Sequence, residues 1–349
     1  MGVDIQGKLR LALGSVKDHA TIGKAVIYNY HGKGFSDIEI AVVRATGHDH
    51  GPIDDKHMHE ILFLVSDSPG SIYFLAERIS RRLGKTRDRL VAMLIHRFLR
   101  GGNRFFEQQL RNAYVFGHLQ LSTRWLLRNS DPSVCFLHKY AGYLEERMRW
   151  IINPGGKLEP VMSQGMDIVF FKLPKCQDFI DGVLKSSPFD ILACDNLAQV
   201  AMINTLKESF QVYMTFSEGV AALVNMFFDL ARPARALACD VLERASRQSQ
   251  ELHDLYEKSK RIIGNKKLEY PSVHSITVEH ITALEQCLGC STTPPSILNS
   301  LTKPAETGKE DEEDRQRHDV SMSTTLFSCT LETKISMVWV VFEDEDRNK

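Results

Sequence analysis

The chain has 349 residues, 43% of them hydrophobic and 25% charged, which supplies a sizeable core and the charge load of an ordinary soluble protein. No charged-then-apolar leader opens it and no apolar run approaches membrane-spanning length, so any membrane contact is peripheral. The net charge of −1 hides an asymmetry: residues 1–130 hold 19 Lys+Arg against 12 Asp+Glu, a balance of +7, and the remainder carries −8. A basic front half points to a phosphate-bearing partner, with uneven scatter of surface charge as the plain alternative.

Residues from about 8 to 265 read as a succession of helices, with no run of strand alternation. Asp37–Thr46 is short, with Ile38, Ile40, Ala41 and Val43 covering one side, and His57–Val65 follows. Ile72–Leu83 comes next, with Gly84 as its stop, then a helix capped by Thr86 that runs to about Leu99, before Gly101-Gly102. Pro132 opens a helix in which Phe136, Tyr140, Tyr143 and Leu144 share a face, and Ser187-Pro188-Phe189-Asp190 reads as a helix entrance. Leu206, Phe210, Tyr213, Val220, Val224 and Phe227 form one long stripe, interrupted at Ser217. Leu237, Val241, Leu252, Leu255 and Ile262 form another, with Pro233 in its first turn and Gly264 at its end. The pattern predicts an all-α array of stacked antiparallel helices without a fixed repeat.

Beyond Cys290 the composition changes. Residues 291–330 contain 13 Ser or Thr, three Pro and the charged run Lys309–Arg315, too little apolar surface to offset the entropy of ordering. Disorder is expected there, ahead of an apolar segment, Ile335–Phe342, that either docks on a partner or pairs back on the fold. The seven cysteines are spread from Cys135 to Cys329, and Cys287 and Cys290 form a single CxxC with no second pair, which favours reduced thiols in the cytoplasm over a zinc site.

Enzyme signatures are missing: there is no GxSxG, no GxxxxGK[ST] and no HExxH, so no catalytic residue and no cofactor are assigned. The histidines His48, His50, His57 and His59 form two HxH pairs, but a hydrated His-rich loop accounts for them more simply than a metal site. Nucleic acid is disfavoured because the basic residues are not interleaved with aromatics in a recognisable module. Arg44 and Lys56-His57 bracket a polar loop between two short helices, an arrangement suited to a polyphosphate headgroup.

Five segments in order, Gly7–Arg10 through Lys17-Asp18, Ser36–Thr46, Ser80–Arg87, Tyr143–Arg147 and Leu206–Phe228, resemble the plant members of the clathrin-assembly-protein (ANTH) family, over roughly residues 7–285. The resemblance implies an ANTH-type helical solenoid over residues 1–285 and a mostly disordered tail over 286–349. It also implies a peripheral adaptor, not an enzyme, that binds phosphatidylinositol bisphosphate and helps assemble clathrin coats in endocytosis or vesicle budding. The partners it implies are clathrin, adaptor proteins and vesicle SNAREs. The locations it implies are plasma-membrane pits, coated vesicles and the Golgi. The family's lipid motif is a basic residue, nine others, then Lys-x-Lys/Arg-His/Tyr. Carried over, Arg44, Lys56 and His57 match it, and Asp54 stands where a Lys is expected.

Lys8, Arg10, Lys17, Arg81, Arg82 and Lys85 are candidates for auxiliary basic contacts, those on the Arg78–Arg89 ridge being interrupted if Gly84 breaks the helix. Two further departures stand out. About four residues usual in the family are missing between Val91-Ala92 and His96-Arg97, and the tail holds no NPF, DPF or acidic leucine box. The alternative function is a degenerate helical scaffold that binds proteins without lipid specificity.

Overall fold

Caps and stripes fix most of the helices in the computed structural model. It describes residues 5–29, 35–47, 52–66, 68–86, 88–121, 131–161, 168–264, 268–274 and 281–282, with side chains of the first helix from 12 to 27. The elements are α1 (Ile5–Asn29), α2 (Ser36–Ala45), α3 (Asp55–Leu64), α4 (Pro69–Thr86), α5 (Arg89–Gly101), α6 (Arg104–Val115) and α7 (Pro132–Arg147). A hairpin of β1 (Trp150–Ile152) and β2 (Leu158–Pro160) follows, then α8 (Leu173–Ser186), α9 (Asn196–Met226) and α10 (Arg232–Ile263). The side chains of Asp54, Asp88, Asn103, Asp131 and Asp195 accept hydrogen bonds from the free N–H groups at the starts of α3, α5, α6, α7 and α9. Pro233 sits in the first turn of α10, and Gly264, at φ +58°, closes that helix in the left-handed region. The long tail and its apolar segment lie outside the described residues.

Successive helices pack on one another. α1 lies on α2, α2 on α3 and α4, α4 on α6, α5 on α7, α7 on α8, and α8 on α9 and α10, which gives the all-helical array that the sequence predicts. α5 is at its centre. It is an unbroken helix in which every side chain from Leu90 to Leu99 is buried except Arg97, the signature of a helix enclosed on all sides. The stretch between Ala92 and His96 is continuous helix, without a bulge or break. Gly102, just past its end, has no room for a side chain: a Cβ would lie 2.5 Å from the Phe106 ring and 2.8 Å from the Phe98 carbonyl oxygen.

Four local expectations are corrected. α4 passes through Gly84 and runs to Thr86, because the buried stripe Ile72, Leu75, Ala76, Ile79 and Leu83 outweighs the roughly 1 kcal/mol helix penalty of one glycine. Asp88, not Thr86, caps α5; the Thr86 hydroxyl donates back to the Arg82 carbonyl. The hairpin is a strand pair where none was expected, its antiparallel register setting Trp150 opposite Pro160. Three residues per strand are too few for alternation to show. Ser187–Asp190 does not open α9, which begins after the cap Asp195.

Inside the core, Glu208 of α9 joins three helices. His96 of α5 and Tyr143 of α7 engage its Oε2, while Arg147 Nε donates to its Oε1 at 3.0 Å. The other ring nitrogen of His96 is 2.6 Å from the Tyr140 hydroxyl. Arg147, fully buried, also donates to the carbonyls of Trp150 and Leu99. Burial alone would raise the Glu208 pKa, but Arg147, His96 and the hydrogen bonds from His96 and Tyr143 hold the carboxyl well below its usual range.

Candidate functional site

The bend between α2 and α3 brings the three expected headgroup residues together. Arg44 lies in the last turn of α2, and Lys56 and His57 lie in the first turn of α3. The far end of α5 holds the bend, where Arg97 donates to the Ile53 carbonyl and to the Asp55 carboxylate. Arg44 is 53% exposed and Lys56 is 70% exposed, while His57 is half-buried.

Each of these three side chains has a carboxylate close by. Glu60 Oε1 is 3.6 Å from Arg44, and Glu60 Oε2 is 3.5 Å from His57 Nδ1, so one acid sits between the two basic arms. Lys56 Nζ lies 3.5 Å from Asp54. Asp54 has a second role, since its carboxylate caps α3 by accepting the Lys56 N–H at 3.0 Å. That backbone bond, which outweighs the opposing effect of desolvation, and then the Lys56 charge lower its pKa. The residue standing where the resemblance expects a lysine is thus the cap that starts the helix. His57 Nδ1 is buried and makes no hydrogen bond, its ion pair with Glu60 being too long for one.

Of the two carboxylates, Asp54 stands in the motif and Glu60 does not. Glu60 was legible in principle, because it follows His57 by three residues and shares its helix face. Asp54 was read only as a charge, although an Asp directly before a helix start is a capping signal.

The auxiliary candidates separate into different roles. Arg82 is clasped, with a forked pair of hydrogen bonds to Asp18 at 2.9 and 3.3 Å and a third to the Thr46 carbonyl at 2.7 Å. It ties α4 to α1 and to the end of α2. Lys17, Arg81 and Lys85 are exposed and form no ion pair among the described residues. The side chains of Lys8 and Arg10, and all of His48 and His50, lie outside the described residues. Among the described residues no group of three or more His, Cys, Asp or Glu is placed to hold a metal ion. No helix among them is long and apolar enough to cross a membrane.

Comparison with known proteins gives a consistent picture. The family model described as the ANTH domain matches residues 37–289. A protein of Arabidopsis thaliana, provisionally named a clathrin assembly protein, is 54% identical over 99% of this chain and 96% of its own length. Clathrin coat assembly protein AP180 of the same plant is 28% identical over 85% of this chain, which covers 52% of that relative. A further relative with a provisional clathrin assembly name is 26% identical over 88% of the chain and 58% of its own length.

Proposed function

The chain belongs to the ANTH-domain family of clathrin assembly proteins, and from that premise we propose that it is a peripheral membrane adaptor for clathrin coats rather than an enzyme. In this reading it engages phosphatidylinositol bisphosphate through Arg44, Lys56 and His57. The domain over residues 1–285 carries that contact, and the tail over 286–349 carries protein contacts. Clathrin, adaptor proteins and SNAREs are the protein partners that the family suggests, at coated pits, coated vesicles and the Golgi. A weak lipid contact combined with a protein contact holds such an adaptor at a coat reversibly.

The observation that supports the lipid reading is that Arg44 of α2 and His57 of α3 flank one acid, with the exposed Lys56 beside His57 in the first turn of α3. A phosphate approaching there meets the N-terminal end of α3, whose peptide dipoles favour an anion. It must also displace Glu60 from between Arg44 and His57. That competition predicts modest affinity and strong salt dependence.

The second reading is favoured by one specific feature: each of the three side chains already has a carboxylate within 4 Å. A corner neutralised in this way leaves a scaffold recruited by proteins alone. Co-sedimentation of the full chain with vesicles containing a few per cent phosphatidylinositol bisphosphate, against charge-matched phosphatidylserine vesicles, separates the two readings. Selective binding that Lys56→Glu weakens about tenfold supports the lipid site. A folded protein without selectivity leaves the scaffold.

A further inference from the structure

A second basic surface, which includes none of Arg44, Lys56 and His57, lies in a groove of about 1100 Å³ between α1 and the α4–α5 connection. Seven cationic side chains line it against four carboxylates. Three of the cations are paired: Arg78 with Glu39, Arg82 with Asp18 and Arg89 with Asp195. The remaining lining acids, Asp88 and Asp131, cap α5 and α7. Lys17, Lys24, Arg81 and Lys85 are left exposed, with no ion pair among the described residues.

The unpaired charges are arranged at a cost. Arg81 and Lys85, four residues apart on α4, repel each other. An anion in the groove relieves that repulsion. Arg78 and Arg82 line the same groove, so their guanidinium groups add to its positive potential although each is paired. Four unpaired cations in one groove favour a compact anion that carries several charges.

We propose that this groove is an anion site for a compact group bearing several phosphates, either a free inositol polyphosphate or the same chemistry on a lipid headgroup. Arg81 and Lys85 approach it from α4, and Lys17 and Lys24 approach it from α1. The site needs nothing from Arg44, Lys56 or His57, so it stands or falls separately from the corner.

The test uses the full chain, the double variant Arg81→Glu/Lys85→Glu, and Lys56→Glu. Lys207→Glu/Arg232→Glu, at exposed positions outside the groove, makes the same change in net charge as a control. Circular dichroism verifies that each variant is folded. One arm titrates inositol hexakisphosphate by calorimetry, and the other sediments vesicles containing phosphatidylinositol bisphosphate. The expected result is a loss of at least about tenfold in the Arg81/Lys85 variant in one arm or both, with less than about threefold in the control. The arm that shows the loss identifies the source of the phosphates. Unchanged binding by the double variant in both arms overturns the proposal, as does no binding by the unaltered chain or an equal loss in the control. Lys56→Glu reports on the corner alone, so failure of either site is distinguishable from failure of the other.

Discussion

Glu208 and Glu60 are two carboxylates that each gather basic side chains, and they do opposite things. Glu208 is 6% exposed and Glu60 is 39% exposed. In the core, Arg147, His96 and Tyr143 all point at one acid, and no solvent can take its place. At the bend, Glu60 lies more than 3.4 Å from both Arg44 and His57, and water or a ligand anion can replace it. The same pairing of charges is a brace where it is dry and an adjustable competitor where it is wet. A buried ion pair is hard to break because breaking it strands the partner, whereas an exposed one contributes little to stability and yields to a competing anion.

The sharpest way to break this comparison is Glu208→Ala. It leaves the Arg147 guanidinium buried beside His96 and Tyr143 without their shared acceptor, and a loss of about 3–5 kcal/mol is expected in urea unfolding. A loss under about 1 kcal/mol would mean that the cluster is not a brace. The pH dependence of stability tests the same group more gently. Its pKa lies below the ordinary value of 4.5 in the folded chain, so its contribution is complete above about pH 4.5. As the pH falls through that value the unfolded chain takes up a proton that the folded chain resists, and stability declines. Unfolding curves between pH 3 and 7 should show this acid-side slope flattened in Glu208→Gln.

Smaller effects belong to the bend. Glu60→Gln removes the acid between Arg44 and His57 and is expected to raise binding to phosphatidylinositol bisphosphate vesicles a few-fold, with no change in the urea midpoint. Weaker binding in this variant would show that Glu60 orients the two side chains rather than competing for them. Asp54→Asn should have the mildest outcome, because asparagine caps a helix about as well as aspartate. Thermal melting should be unchanged and vesicle binding slightly stronger, whereas Asp54→Lys sacrifices the cap for the charge and should melt earlier.

Much of the architecture was legible because its signals are local. Pro132 at the start of α7, Pro233 in the first turn of α10 and Gly264 after Ile263 act within one turn of their own position. Most of the stripe on α9 follows from helical geometry, although Leu223 is buried there and the expected Val224 is exposed. The hairpin was not legible, because its pairing joins Trp150 to Pro160 across a turn with only three residues on each side. Gly84 misled for the opposite reason: glycine is a weak local stop, and the packing of Leu83 and Ile79 overrode it. At the candidate site the basic residues and Asp54 are visible as a motif, but Glu60, one turn further along α3, is no part of it.

The sequence by itself determined a predominantly helical chain, the end of its last long helix at Gly264, and the placing of Arg44 and of Lys56-His57 on either side of one connection. It does so because periodicity and capping depend on residues within one or two turns of each other. Only the tertiary structure decided which charges are free. Glu208 meets His96, Tyr143 and Arg147 across 112, 65 and 61 residues, and Arg82 meets Asp18 across 64. Ion pairing and burial depend on distance and dielectric between helices, and spacing along the chain carries neither.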